Sequence, residues 1–247
     1  MVRAEQNRRA PETSLENHRF YADLLNDPAL RSLVELLLDT EPGARLPSER
    51  ELTQTLNMSR NTLRDRIGRL ESMGALTRKE RLGTYYTGVQ AERTGDVLLL
   101  SLMFQQMTLE SLTSVRHALE RQAAIEACVN GDEQNFTALS ESAAAMHRTE
   151  DGRELLEADD AFHRALFAAS ASPALIFFSQ MLYAVLRGTL RHLTLEQDFE
   201  TMRRVHNDVL LAVRQRDPQA ATEAIDAHFA WLGVLREREA AEREPAE

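Results

Sequence analysis

Between Leu46 and Tyr86 the chain reads LPSERELTQTLNMSRNTLRDRIGRLESMGALTRKERLGTYY, and two helix starts a short turn apart leave it few ways to fold. Ser48 stands three residues ahead of Glu51 and just before an apolar run, the pattern of a capping box and so of a helix start. Leu52 and Leu56 share the buried face of that short helix. Asn57, a residue that tolerates the left-handed conformation, sits where the helix must stop and turn. Ser59 caps a second helix in which Leu63, Ile67, Leu70 and Met73 recur at helical spacing and face inward. Arg60, Asn61 and Arg64 are left pointing outward near its N-terminal end, and Gly74 closes it.

Two short helices across a tight turn, the second opening with side chains that fork onto base edges and phosphates, are the parts of a helix-turn-helix. After it, Ala75 to Lys79 and Gly83 to Tyr86 alternate and carry β-branched and aromatic residues, which predicts a small hairpin. That hairpin is a wing with Lys79 and Arg81 at or near its tip. The candidate DNA contacts on the helices are Arg50, Ser59, Arg60, Asn61, Thr62 and Arg64; those on the wing are Lys79, Arg81 and Gly83. Arginines on a solvent-facing helix can also be a solvated surface and nothing more. Local charge favours the DNA reading: seven basic residues against three acidic lie between Ser59 and Arg81, in a chain of formal net charge -10.

The order LPSEREL, SRNTLR, a leucine-rich helix, Gly74 and a terminal Gly-Thr-aromatic resembles the winged helix-turn-helix of the GntR family of bacterial transcription regulators. Two positions depart from the family's habit, which is a small residue where Asn57 stands and a glycine where Arg81 stands. The reading is a homodimer on a pseudo-palindromic operator in double-stranded DNA, its two heads spaced to match two half-sites.

At 247 residues and 43% apolar, the chain suits two domains with a sizeable core. Charge is unevenly shared: residues 1–90 hold 14 basic and 13 acidic side chains, the rest 15 and 26. A near-neutral head with a basic face on an acidic body confines DNA binding to one end. Cys128 is the only cysteine, so no intramolecular disulfide forms. No stretch approaches the roughly 18 apolar residues of a membrane span, and the N-terminus lacks an apolar signal core, so the expected place is the cytoplasm and not a membrane. The expected organisation is a mobile arm over 1–17, the DNA-binding domain over 18–88, a linker over 89–95, a helical domain over 96–236 and a charged tail over 237–247. In the head, Tyr21, Leu24 and Leu25, then Leu30, Leu33, Leu36 and Leu37 beyond Pro28, mark helix that packs on the motif.

Beyond the linker the pattern is mainly α, with no strand signal. Helices are expected at about 96–106, 108–129, 132–147, 152–169, 173–195, 199–215 and 218–240. Ser172-Pro173 and Asp217-Pro218 each supply an N-cap with proline at the first helical position. Polar residues interrupt the apolar stripes of this bundle. Asp159 and His163 are four apart and project from one inward-leaning face; His206 falls in a stripe with Val209, Leu210 and Val213, and His228 in one with Ile225, Phe229 and Leu232. Buried carboxylates and imidazoles are costly unless satisfied, and one divalent metal per chain satisfies all four. The nitrogen and oxygen set suits Zn, Ni, Mn or Fe.

Asp-x3-His followed by two histidines on the last two helices resembles the metal site of the FCD domain, the helical effector-binding domain of the FadR subfamily within GntR. Asp159-Asp160-Ala161-Phe162-His163 matches its D-x2-FH core, and Val115-Arg116-x2-Leu119-Glu120 its opening helix. The resemblance implies a small organic acid as effector. Arg116, on a stripe with Leu112, Leu119 and Ala123, either meets that acid's carboxylate or makes an i,i+4 pair with Glu120. Arg187, Arg191 and His192 are better suited to the surface. The function expected is a ligand-responsive repressor and not an enzyme. The alternatives are a regulator in which the metal ion is itself the signal, and a metal-dependent hydrolase with a metal-bound water as nucleophile.

Overall fold

The computed structural model of the chain describes residues 26–189 and 198–243. The arm expected over 1–17, the helix expected at Tyr21, Leu24 and Leu25, and Arg191 and His192 lie outside the described residues. The chain divides into two compact units, residues 1–90 and 91–247.

The first unit opens with α1 (Pro28–Leu38), whose N-cap Asp27 accepts the Leu30 N–H at 3.0 Å, with proline in the first turn where no N–H is needed. In α2 (Glu49–Thr55) the capping box is reciprocal. The Glu51 N–H reaches Ser48 Oγ at 3.3 Å, and the Ser48 N–H reaches Glu51 Oε2 at 2.8 Å. Asn57 turns the chain at φ 47°, and Ser59 caps α3 (Arg60–Ser72) by accepting the Thr62 N–H at 3.1 Å. Gly74 (φ 76°) ends α3 in a Schellman motif, with Ala75 N–H on the Leu70 carbonyl at 2.9 Å and Gly74 N–H on that of Glu71 at 3.0 Å. Leu30, Leu33 and Leu37 of α1 pack with Leu52, Leu63, Ile67 and Leu70 in one core. Met73, expected inside, is 43% exposed, because it is the C-cap of α3 and falls past the buried stripe.

The wing is β1 (Leu76–Lys79) antiparallel to β2 (Gly83–Tyr86), Leu76 opposite Tyr86 and Lys79 opposite Gly83. Residues 44–46 run along the other edge of β2: the Leu46 N–H bonds the Thr84 carbonyl at 2.8 Å and the Tyr86 N–H that of Ala44 at 3.0 Å. Glu41-Pro42-Gly43 turns the chain into this pairing, which covers the edge of the wing.

The second unit is helical throughout its described residues: α4 (Ala91–Met103), α5 (Leu109–Asn130), α6 (Glu133–Arg148), α7 (Gly152–Ala169), α8 (Pro173–Thr189), α9 (Phe199–Arg214) and α10 (Pro218–Arg243). Two expected boundaries are corrected. Helix α4 begins inside the segment 89–95 assigned to the linker, since Ala91 is 2% exposed and Ala-Glu-Arg are good helix formers; Gly95 costs about 1 kcal/mol, less than the first turn gains. Helix α10 likewise continues past residue 236 to Arg243 through Glu, Arg and Ala.

Helix α5 packs against α7, α8, α9 and α10, and so its inward side chains meet those of most of the bundle. The main core joins Leu139 and Met146 of α6 to Leu155, Phe162 and Leu166 of α7 and Val209 and Val213 of α9. Arg216, just past α9, closes the end of α5, its guanidinium donating to the Cys128 and Gly131 carbonyls at 2.9 Å each and stacking 5.1 Å over Phe136. No described helix is long and apolar enough to cross a membrane.

Gly131 sits at this junction, where an added Cβ would lie 2.5 Å from Phe136 Cε1 and 2.6 Å from the Ala127 carbonyl oxygen. Gly131→Ala is expected to destabilise the helical unit by about 1–3 kcal/mol, as overpacking does, read as a lower urea midpoint with an unchanged slope.

Candidate metal centre and DNA-binding face

On the first unit, Arg50, Ser59, Arg60 and Asn61 are exposed around the start of α3, where a helix-turn-helix presents side chains to a groove. The Ser59 and Thr62 hydroxyls lie 2.8 Å apart and bond to each other, while the Arg60 and Asn61 side chains beside them are exposed. Arg64 donates from Nε to Glu49 Oε2 at 2.7 Å, a link across the turn between α2 and α3 that DNA would have to compete for. Arg66 and Arg69 turn away, to Asp27 at 2.7 and 3.6 Å, so two cations in the basic count hold the head together. On the wing, Lys79 Nζ stands 4.7 Å over the Tyr85 ring, and Arg81 forms the tip at φ 59°. Gly83 has a local reason to be glycine: φ is 115°, and an added Cβ would come 2.8 Å from Arg45 Nε.

In the second unit three helices bring together Asp159 and His163 (α7), His206 (α9) and His228 (α10). One donor atom from each lies within 4.8 Å of all the others. Asp159 Oδ1 is 2.9 Å from His206 Nε2 and 3.4 Å from His163 Nε2, and those two nitrogens are 3.3 Å apart. All three imidazoles are 3% exposed or less. The opposite ring nitrogens are tied elsewhere. His206 Nδ1 is 2.7 Å from the Met202 carbonyl, which can only accept, so Nδ1 carries a proton and Nε2 faces the cluster. His163 Nδ1 lies 2.8 Å from Glu120 Oε2, an ion-pair distance without the alignment of a hydrogen bond.

Three imidazoles and a carboxylate thus converge on one buried centre. A cation fits this donor set. Imidazoles whose far nitrogen lies against a carbonyl or carboxylate are also the usual arrangement around a bound metal. Burial lowers the His163 imidazole, but Glu120 and Asp159 overcome this and raise it above its ordinary value. Burial, joined by the neighbouring His206 and His163, pushes the His228 imidazole well below its ordinary value and keeps it neutral. Burial raises the Asp159 carboxyl, but His163 and His206 overcome this and hold it well below the usual carboxylate range. The four residues could hold a divalent metal ion, with water or a ligand carboxylate completing its shell.

Beside them is a cavity of about 40 Å³ lined by Arg116, Asp159 and His228, with Leu156, Met202, Trp231, Leu232 and Leu235 as its apolar wall. That is room for a few water-sized groups. Arg116 makes the i,i+4 pair with Glu120 that was one of the two expected roles. Its Nε donates to Glu120 Oε1 at 2.6 Å, while its Nη2, buried, has no hydrogen-bond partner among the described residues. Rings of Tyr183 and Phe229 lie 5.2 and 5.6 Å from its guanidinium carbon. Burial disfavours the Glu120 carboxylate, yet Arg116 and His163 outweigh it and keep the group ionised.

Sequence reading missed Glu120 as a member of the site and never reached Tyr183, whose hydroxyl donates to Glu120 Oε1 at 3.3 Å. One signal was available for Glu120: it is four residues from Arg116 and so on the same face of α5. Glu120 is a further buried carboxylate beside the cluster, contacted by Arg116, His163 and Tyr183. The side chain of Arg187 lies outside the described residues.

Residues 29–85 match the family described as bacterial regulatory proteins, gntR family, and residues 111–230 match the FCD domain. Among curated proteins, the chain is 28% identical over 154 residues to the HTH-type transcriptional regulator LutR of Bacillus subtilis, covering 62% of this chain and 70% of that one. It is 27% identical over 210 residues to the Glc operon transcriptional activator of Escherichia coli, covering 80% of this chain and 83% of that one. Among solved structures, Streptococcus agalactiae GntR shares the fold at a TM-score of 0.66 and 22% identity, over 85% of this chain and 98% of that one. The matched domains and named relatives are regulators, which removes the hydrolase alternative. The chain belongs to the GntR family of bacterial regulatory proteins: it is a transcriptional regulator, not an enzyme, with a DNA-binding helix-turn-helix head followed by an FCD effector domain.

Proposed function

We propose that this protein is a cytoplasmic repressor that binds a pseudo-palindromic operator as a homodimer and is released when a small organic acid docks beside a divalent metal in the helical domain. The observation that carries this reading is the buried cluster of Asp159, His163, His206 and His228, next to a cavity into which a buried Arg116 brings an N–H with no partner among the described residues. The ion, when bound, supplies positive charge and open coordination positions for a carboxylate. Arg116 orients the acid by charge-assisted hydrogen bonding, and Leu156, Met202, Leu232 and Leu235 keep bulk water from competing. The small cavity limits the acid to a few heavy atoms unless the walls move.

At the other end, Arg50, Arg60 and Arg64 would meet phosphates and base edges with Asn61, while Lys79 and Arg81 would carry the wing onto the backbone. A near-neutral head with a basic face, on a chain whose excess of acidic side chains lies beyond residue 90, supports this division of labour. For the acid to change DNA affinity it must bind one arrangement of the paired heads better than another.

An operator selected from a random duplex pool provides the probe. With metal-loaded protein, a small carboxylic acid that raises the melting temperature is expected to weaken operator binding at least about fivefold, the lower end of ordinary allosteric coupling. An acid that binds without changing operator affinity contradicts the mechanism. If metal addition alone, with no acid, shifts operator affinity by that factor, the ion is the signal. On the DNA side, Asn61→Ala is expected to cost about 1–3 kcal/mol at the base pair it reads and to relax specificity there. Lys79→Ala should weaken binding to all sequences and reduce the slope of log affinity against log salt by about 1.

A further inference from the structure

Glu120 lies on α5 between the two halves of the proposed site and is fully buried. Three side chains from three helices converge on its carboxylate. Arg116 Nε, one turn earlier on α5, donates to Oε1 at 2.6 Å; Tyr183 of α8 donates to the same oxygen at 3.3 Å; His163 Nδ1 of α7 lies 2.8 Å from Oε2. One oxygen thus faces the residue that would dock an acid, and the other faces a candidate metal ligand.

Each contact has a directional effect. A carboxylate 2.8 Å from His163 Nδ1 favours a proton on that nitrogen, leaves Nε2 facing Asp159 and His206, and raises the basicity of Nε2 as a ligand. The Arg116 contact fixes one edge of the guanidinium and leaves Nη2 as the unpartnered donor at the cavity wall. Tyr183, with the cation face of Arg116 over its ring, holds the carboxylate from the side of α8.

We infer that Glu120 is a positioning residue that serves both halves of the site, setting metal affinity through His163 and acid affinity through Arg116, so that metal and acid binding are coupled through this one carboxylate. The inference rests on the metal and acid reading above. Anything that withdraws Arg116 toward a bound carboxylate changes the charge that Glu120 presents to His163, and linkage makes the effect reciprocal.

The test measures zinc affinity by competition with a chelating dye, on metal-stripped parent, Glu120→Gln and the double variant Arg116→Met/Glu120→Gln. The double variant is included because Glu120→Gln alone leaves a buried guanidinium without its partner and can unfold the domain, whereas removing both charges together is tolerated far better. The expected result is a zinc affinity lowered 10- to 100-fold in whichever variant shows the parent's circular dichroism, with displaced absorption bands after cobalt substitution, a change that loss of stability alone does not produce. In the parent, a small carboxylic acid that binds is expected to change zinc affinity severalfold, and in the double variant that factor falls to one. Folded variants with zinc affinity within twofold of the parent overturn the positioning role. A parent that binds no zinc, nickel, manganese or iron removes the metal centre itself, and this inference with it.

Discussion

Two imidazole nitrogens 3.3 Å apart face one carboxylate oxygen in the interior of the second unit, and a third imidazole closes the group. Much of the second unit is arranged around that meeting. Buried polar groups gathered so closely are costly unless a proton or a cation is shared among them. Apolar packing helps to hold the helices that bring them together: Phe162 stacks edge-on to both His163 and His206, and Leu155, Leu166, Val209 and Val213 lock α7 and α9 in register. Core packing thus holds the donors in place whatever lies between them, and the gain on binding a cation is correspondingly large.

The same logic explains why charged groups are tolerated so deep in the bundle. Arg116 and Glu120 are 3% and 0% exposed, a pair whose desolvation is offset only by close geometry and further partners. Glu120 has those partners in His163 and Tyr183. Arg116 has them only in part, since aromatic faces cover its guanidinium carbon and one nitrogen is left without an acceptor. That imbalance directs the site toward an anionic ligand and gives the cavity a polar end and an apolar one. The head works by a different economy of charge, in which Arg66 and Arg69 brace α3 against Asp27 while Arg60 and Asn61 stay exposed.

What could be read from the sequence was whatever depends on local pattern. Ser48 and Glu51, Asn57, Ser59 and Gly74 each act on their own few residues, and the structure has them as caps and turns where the pattern predicts. The four cluster residues were legible because each interrupts an apolar stripe, and a stripe says which way a side chain points. What remained hidden depends on contacts distant in sequence. Tyr183 meets Glu120 across 63 positions, and the run at 44–46 pairs with β2 across the whole helix-turn-helix. The start of α4 at Ala91 was missed because burial of a small residue, invisible to periodicity, stabilises a polar first turn. Met73 looked like core because spacing alone does not say where a helix ends.

Elemental analysis of the purified protein, after dialysis against metal-free buffer, tests the central claim most directly when set beside a His206→Ala/His228→Ala variant. The account predicts about one divalent ion per chain in the parent, drawn from zinc, nickel, manganese or iron, and none in a variant that retains the helical content of the parent. Metal-free parent protein that stays folded and takes up none of these ions when they are supplied would contradict it. The four side chains would then be a core cluster holding shared protons in place of a cation.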